Sequence, residues 1–296
     1  MDNGLHFISG LPRSGSTLLA AILRQNPRFH AGMSSPIGAL FQELLVAMGT
    51  QHDYAVLINE EQRRNLLRGL FEGYYKGIFH EQVVFDTNRS WCSRMAAVAE
   101  LFPQARVIAS VRDLAWIMDS FERLFRKNPL LMSRMFKPAE TITVYTRMDA
   151  LVGASGPVRF AWNALREAFY GEHADRLVIV DYEELAREPK RTIDLIYDRC
   201  GLPRFNHDFD NVSYEEGQEF DSQFGVPGLH SISGKVRYSE RQTVLPPDLF
   251  ERFANRSFWG NARPDRRNMS MSAPAGGPDD GPALPGGRSS GRSMPS

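Results

Sequence analysis

An α/β fold with a mostly parallel central sheet flanked by helices is what this chain predicts, on three observations. Short runs of β character alternate with longer helical stretches, the pattern of a sheet covered on both faces. The first such run leads through a glycine-containing turn directly into a helix. Three of the four candidate strands end in residues able to bind or react, and ligands of α/β sheets sit beyond the carboxyl ends of the strands.

The elements follow in order. Leu5 to Ser9 is a short apolar run and the first strand, and the helix-forming run Leu18 to Leu23 places a helix near Ser16 to Gln25. Helices near Ile37 to Met48 and Glu60 to Lys76 are too long to be ordinary strands. Val83 to Asp86 is the second strand, followed by a helix near Trp91 to Leu101. Arg106 to Val111 is the third, followed by helices near Leu114 to Arg126, Ala139 to Leu151 and Val158 to Tyr170. Leu177 to Asp181 is the fourth, with a last helix near Pro189 to Arg199. No internal repeat is present.

The turn after the first strand reads Gly10-Leu11-Pro12-Arg13-Ser14-Gly15-Ser16-Thr17, the spacing of a phosphate-binding loop, with Ser16 where a nucleotide kinase carries lysine. Strand, turn and helix in that order aim backbone N–H groups and the positive end of the helix dipole at one anion. Without the lysine that contacts a triphosphate, the remaining cation is Arg13, whose planar fork suits an oxyanion. The loop therefore favours an activated anion other than ATP; an ordinary serine-capped turn is the alternative.

The chain of 296 residues carries 35 basic and 35 acidic side chains, so no global field selects nucleic acid or an anionic membrane. Cys92 and Cys200 form neither a disulfide framework nor a metal spacing, and a reducing compartment is expected. No run approaches the ~20 apolar residues of a membrane span, which predicts a cytoplasmic protein. The sequons at Asn88, Asn211, Asn255 and Asn268 then read as chance matches. His6, His30, His52, His80, His173, His207 and His230 are scattered without ligand spacing, so no metal is expected. Residues 1–262 read as one catalytic domain and 263–296 as a disordered Pro/Gly/Ser-rich tail with little to bury.

Arg112 ends the third strand and Ser120 lies eight residues on, about two helical turns, so the two can jointly hold a phosphate. The alternative is a surface arginine paired with Asp113 or Asp119. Asp86 to Trp91 closes the second strand, either near the chemistry or as an aspartate-capped helix start.

Leu5 to Gln25 closely resembles the 5′-phosphosulfate-binding loop of sulfotransferases, and Pro12-Arg13-Ser14-Gly15-Ser16-Thr17-Leu18 is nearest the tyrosylprotein branch, which reads Pro-Arg-Ser-Gly-Thr-Thr-Leu. Leu101 to Asp113 and Val180 to Leu185 followed by Pro189 also resemble that family, over about residues 5 to 259. The resemblance implies a phosphate-loop sulfotransferase fold and 3′-phosphoadenosine 5′-phosphosulfate (PAPS) as co-substrate. Arg13, Ser14, Gly15, Ser16 and Thr17 would hold the 5′-phosphosulfate, and Arg112 and Ser120 the 3′-phosphate. Lys235 and Arg237 lie in a late basic stretch, Gly228 to Arg241, where sulfotransferases close over the nucleotide. Glu183 and Glu184 read as cap and surface residues.

The family's basic residue near the transferring group stands at Thr87 here, and Arg89 is the substitute. The glutamate base of the tyrosylprotein branch falls in Gly32-Met33-Ser34-Ser35-Pro36, where no carboxylate stands. Asp86 and His30 rank as replacement bases ahead of Glu43. The resemblance to the tyrosylprotein branch implies a peptide or protein tyrosine as acceptor, and a phenol with a pKa near ~10 needs less help than an alcohol, so a weak base would still suit it. Phe121 to Leu151 holds Arg123, Arg126, Lys127, Arg134, Lys137 and Arg147 against Glu122, Glu140 and Asp149, an excess that would favour an acidic peptide. A small-molecule or sugar hydroxyl, and a P-loop nucleotide-binding kinase-like protein, are the alternatives; the oligomeric state is open.

Overall fold

In the computed structural model, which describes residues 4–79, 81–131 and 133–260, the chain opens with β1 (Leu5–Gly10), α1 (Ser16–Leu23) and β2 (Phe29–Ala31). There follow α2 (Ile37–Ala47), α3 (Glu60–Tyr74), β3 (Val83–Thr87) and α4 (Met95–Leu101). Next come β4 (Val107–Val111), α5 (Leu114–Lys127), α6 (Val144–Val152), α7 (Pro157–Tyr170) and β5 (Leu177–Asp181). The described chain ends with α8 (Tyr182–Arg187), α9 (Pro189–Cys200), β6 (Val212–Tyr214), α10 (Gln218–Gln223), β7 (Ile232–Gly234) and α11 (Pro247–Phe253).

The central sheet runs β2-β3-β1-β4-β5 and every pairing in it is parallel. Alternation along the strands splits the core in two, as a pleat with a period of two residues requires. Phe7, Val84, Val107, Ala109 and Val111 pack with Trp91, Phe71 and the apolar faces of α5 and α7. Ile8, Phe85, Ile108 and Val178 point the other way, onto Leu19 and Ile22 of α1 and Ile193, Ile196 and Tyr197 of α9. β1 sits between β3 and β4, so the turns leaving these three strands converge at one end of the sheet.

The four anticipated strands are all present, with β3 reaching Thr87 and β1 reaching Gly10. β2 was not anticipated: three residues leave no pattern, and it forms only because Phe29, His30 and Ala31 pair with Val83, Val84 and Phe85. The helix expected over Trp91 to Leu101 is instead a 3-10 turn from Arg89 to Arg94, opened by Asn88 accepting from Ser90 N–H, and then α4. The helix expected from Ala139 starts at Val144, where the Thr143 side chain caps the Thr146 N–H; the residues before it form a separate 3-10 turn. The cap of α8 is Asp181, which accepts from Glu183 and Glu184 N–H, rather than either glutamate. The tail and its boundary at 262 lie outside the described residues. Among those described, no helix is long and apolar enough to cross a membrane, and no His/Cys/Asp/Glu group could hold a metal ion.

The basic excess of Phe121 to Leu151 is largely absorbed by carboxylates of α5. Buried Glu122 takes two hydrogen bonds from Arg147, at 2.9 and 2.7 Å, and one from Arg126 at 2.8 Å. Buried Asp119 pairs with Arg123 at 2.9 Å. Arg147 is itself buried and stacks 4.0 Å over the Phe125 ring, so it is part of the core. Arg147→Ala strips a buried carboxylate of its bidentate partner and should lower stability by about 3–5 kcal/mol. Arg126→Ala, at the exposed side of the same carboxylate, should cost about 1 kcal/mol or less. Denaturant unfolding of the two variants checks this; equal losses would contradict it.

Candidate functional site

The turn after β1 is held by contacts that only its residue types permit. Gly10 has φ 102°, and a Cβ there would stand 2.2 Å from the Ser110 carbonyl oxygen. Gly15, at φ 91°, lies against the Tyr182 ring, which a Cβ would approach to 2.7 Å. Arg13 has φ 59°, a left-handed conformation unusual for a residue with a side chain. Ser14 turns its hydroxyl inward, to the carbonyls of Leu11 and Ser110 at 2.5 and 2.9 Å, so its side chain fastens the loop and leaves anion contact to the backbone. No side chain caps α1, so the first-turn N–H groups of Ser16 and Thr17 remain for a ligand.

Around this turn the fold collects guanidinium groups. Arg13 donates from Nε to Ser120 Oγ at 3.1 Å and from Nη1 to the Leu229 carbonyl. Its pKa is lowered to about 10, first by burial and then by Arg112 and Arg89. Arg89 enters on the turn after β3, where Ser9 Oγ donates to its carbonyl at 3.0 Å. Its side chain is exposed, and the protein packed around it lowers its pKa. Its guanidinium has no hydrogen-bond or ion-pair partner among the described residues. Arg112, after β4, is only 9% exposed, its guanidinium lies 4.2 Å over the Tyr182 ring, and its buried Nε has no partner.

The two carboxylates that the sequence offers Arg112 as ion-pair partners are occupied. Asp113 caps α5 through Ala115 N–H and takes the Asn255 N–H, while Asp119 holds Arg123 and Arg241. The pairing of Arg112 with Asp113 or Asp119 is therefore absent. Arg112 instead lines a pocket with Trp116, Tyr182, Glu183, Tyr238, Ser239 and Arg241.

The late basic stretch reaches this pocket through Arg241 rather than through the two cations singled out in the sequence. Lys235 is exposed and pairs with Asp210 at 2.8 Å, and Arg237 is exposed with no side-chain partner among the described residues. β7 pairs with β6, and both strands pack against α1. Arg241 bonds Asp119 at 2.8 Å and lies 5.5 Å from the Trp116 ring centroid.

Of the two candidate bases, Asp86 is a structural carboxylate. It is fully buried; Oδ2 accepts from Ser35 Oγ and Tyr75 OH, both at 2.6 Å, and Oδ1 from Trp91 Nε1 at 2.7 Å. Burial raises its pKa against these three donors, and no acceptor molecule can reach it. His30 is half-buried on β2, 5.5 Å from the Tyr75 ring, and the charges acting on it are Arg24, Glu216 and Asp86 rather than the loop arginines. Burial, then Arg24, lowers its pKa.

A histidine that the sequence reading passed over does stand by the arginines. His230 follows Leu229, whose carbonyl binds Arg13, and its Nδ1 lies 2.5 Å from Oδ1 of buried Asp221. Nine residues separate the pair, with no recognised motif, so only the fold of the loop after α10 reveals it. Trp116 and Tyr182 were likewise unmarked, being aromatic residues with no local sign of a ligand.

Removing Asp86 should be costly in a way that removing one of its donors is not. Asp86→Ala leaves three buried donors unpaired, each worth about 1–3 kcal/mol, whereas Tyr75→Phe removes a single bond worth about 1 kcal/mol. Thermal and denaturant unfolding should rank the variants accordingly, and a tolerated Asp86→Ala would contradict the network.

A family model described as the Sulfotransferase family matches residues 6–207. Among solved structures, the sulfotransferase domain from the Synechococcus PCC 7002 olefin synthase is 21% identical, with 68% of this chain and 74% of that chain covered and a TM-score of 0.43. The sulfotransferase domain from the curacin biosynthetic pathway is 15% identical, covering 85% and 90%, with a TM-score of 0.44. A sulfotransferase from Alicyclobacillus acidocaldarius is 17% identical, covering 75% and 90%, with a TM-score of 0.42. No curated protein gives a match. The family model spans well over half of the chain, from β1 past α9, and includes the Gly10–Thr17 turn, Arg89, Arg112 and Ser120. The chain belongs to the sulfotransferase family.

Proposed function

We propose that the protein moves a sulfuryl group from PAPS to an acceptor hydroxyl, and that the acceptor is a phenol, with a peptide or protein tyrosine as the first candidate. The observation that carries this reading is the gathering of Arg13, Arg89 and Arg112, none ion-paired to a carboxylate among the described residues, beside an uncapped helix N-terminus. Like charges held together with an orphaned Nε and an unpaired guanidinium fit a ligand with two separate anionic groups.

In this reading Arg13 and the N–H groups of residues 14–17 hold the 5′-phosphosulfate, with Arg89 on the transferring group. Arg112 and Ser120 hold the 3′-phosphate, and the rings of Trp116, Tyr182 and Tyr238 suit a purine. Sulfuryl transfer spreads charge over equatorial oxygens, so fixed cations supply most of the stabilisation. Ser16 in the lysine position, and the family itself, speak against a kinase. Two free thiols, Cys92 and Cys200, are in keeping with a cytoplasmic setting.

The preference for acidic peptides is narrowed by the ion pairs of α5. Arg123, Arg126 and Arg147 are bound to Asp119 and Glu122, which leaves Lys127, Arg134 and Lys137 to act on an acceptor. Tyrosyl peptides with neutral and acidic flanks, small phenols and sugars, offered side by side with PAPS, decide the acceptor. Sulfated sugars with every phenol untouched would overturn the phenol reading.

The desulfated product 3′-phosphoadenosine 5′-phosphate (PAP) should bind and ATP should not. Arg112→Ala should weaken PAP about ten- to a hundredfold, from loss of a charge-assisted contact of roughly 1.5–3 kcal/mol. Calorimetry reads both, and unchanged affinity would remove Arg112 from the site. Arg13→Ala should lower turnover far more than PAP affinity, because PAP lacks the sulfuryl group, and Arg13→Lys should restore part of the loss. An equal fall in both quantities would make Arg13 a general binding residue.

A further inference from the structure

We infer that His230 is the base that takes the acceptor's proton, and that Asp221 is the positioning residue that holds it; this rests on the sulfuryl-transfer reading above. The two oxygens of Asp221 divide the work: Oδ2 accepts the His230 backbone N–H at 2.7 Å, and Oδ1 faces Nδ1 at 2.5 Å. Both the backbone and the ring of His230 are thereby fixed by one fully buried carboxylate on α10. With Nδ1–H donated to a carboxylate, the lone pair of the neutral ring is left on Nε2. Nε2 makes no hydrogen bond among the described residues.

The position of the ring follows from its neighbour in the chain. Leu229 gives its carbonyl to the guanidinium of Arg13, so His230 is tethered one residue from the group that would hold the sulfuryl oxygens. Its side chain is 14% exposed, enough for an acceptor to reach it and too little to drift away. Phe220 closes one side of it, with ring centroids 5.7 Å apart. Asp86 gives both its oxygens to buried donors, and His30 answers to a different set of charges.

The charged groups that face His230 are Asp221 from α10, Arg13 from the turn after β1 and Arg89 from the turn after β3. Burial and the two arginines lower its pKa against the opposing effect of Asp221, so the ring is neutral, and able to accept a proton, at neutral pH. In the step itself the acceptor O–H bond breaks and its proton passes to Nε2 while the oxygen forms a bond to sulfur. The bond from sulfur to the bridging oxygen breaks, PAP leaves with that electron pair, and the imidazolium then returns its proton to water.

Full-length protein, His230→Ala and Asp221→Asn are compared with PAPS as donor and with 4-methylphenol or 4-nitrophenol as acceptor, the latter at a pH where it is already the phenolate. His230→Ala should lose about 10²–10⁴ in kcat with 4-methylphenol and less than about tenfold with 4-nitrophenol, which has no proton to give up. Its affinity for PAP, by calorimetry, should stay within about twofold. His230→Gln takes its place if the alanine variant fails to fold. Asp221→Asn removes the interaction that raises the His230 pKa, so the acid limb of its pH–kcat profile should move to lower pH, a shift that a merely structural role would not produce. Equal losses with the two phenols, no loss with either, or an unmoved acid limb would overturn the inference while leaving sulfuryl transfer standing. A wild-type protein that binds PAP but sulfates neither these phenols nor any tyrosyl peptide would overturn the phenol reading and this base with it.

Discussion

Cations that repel one another stay together only if the surrounding fold holds each of them, and the rest of this structure is arranged around that constraint. Arg13, Arg89 and Arg112 come from the turns after β1, β3 and β4, three adjacent strands, and mutual repulsion with burial depresses the pKa of Arg13 to about 10. The free energy that keeps them in place comes from elsewhere: from Ser9 and Ser14, whose hydroxyls fasten the turns from below, and from Tyr182, wedged between Gly15 and Arg112. An anion bound at this point would relieve the repulsion among the three arginines.

The buried carboxylates complete the arrangement by staying away from the three arginines. Asp119 and Glu122 gather Arg123, Arg241, Arg126 and Arg147, while Asp86 gathers neutral donors from Ser35, Tyr75 and Trp91. A carboxylate placed on Arg112 or Arg89 would satisfy it and remove its reason to take a ligand. Asp221 is the one that comes near, and it spends both oxygens on His230. The same segment thus carries the acidic group and the imidazole it holds, with Asp221 also acting on Arg13 through space.

Much of the site was legible in the order of residues, and the reason is locality. The strand, the turn and the helix from Leu5 to Leu23 are consecutive, so spacing alone places Arg13 and the N–H groups of Ser16 and Thr17 at the end of a strand. Arg112 and Ser120 are likewise one strand end and two turns of the following helix. Asp86 was misjudged as a reacting group because its place at a strand end says nothing of which way its side chain points. Lys235 and Arg237 were preferred to Arg241 because all three share a basic stretch, and only the fold pairs Lys235 with Asp210 and brings Arg241 to Asp119.

By itself, then, the sequence determined the α/β class, the parallel strands, the strand–turn–helix that opens the chain and the identity of the cations at the strand ends, since each depends on patterns within about twenty residues. Tertiary structure alone decided which carboxylates neutralise which cations, that β2 exists, and that His230 meets Asp221 beside Arg13. Those outcomes are set by contacts between segments far apart in the chain, such as Arg13 with Leu229 and Asp119 with Arg241, and the energy of such a contact is not written in either segment taken alone.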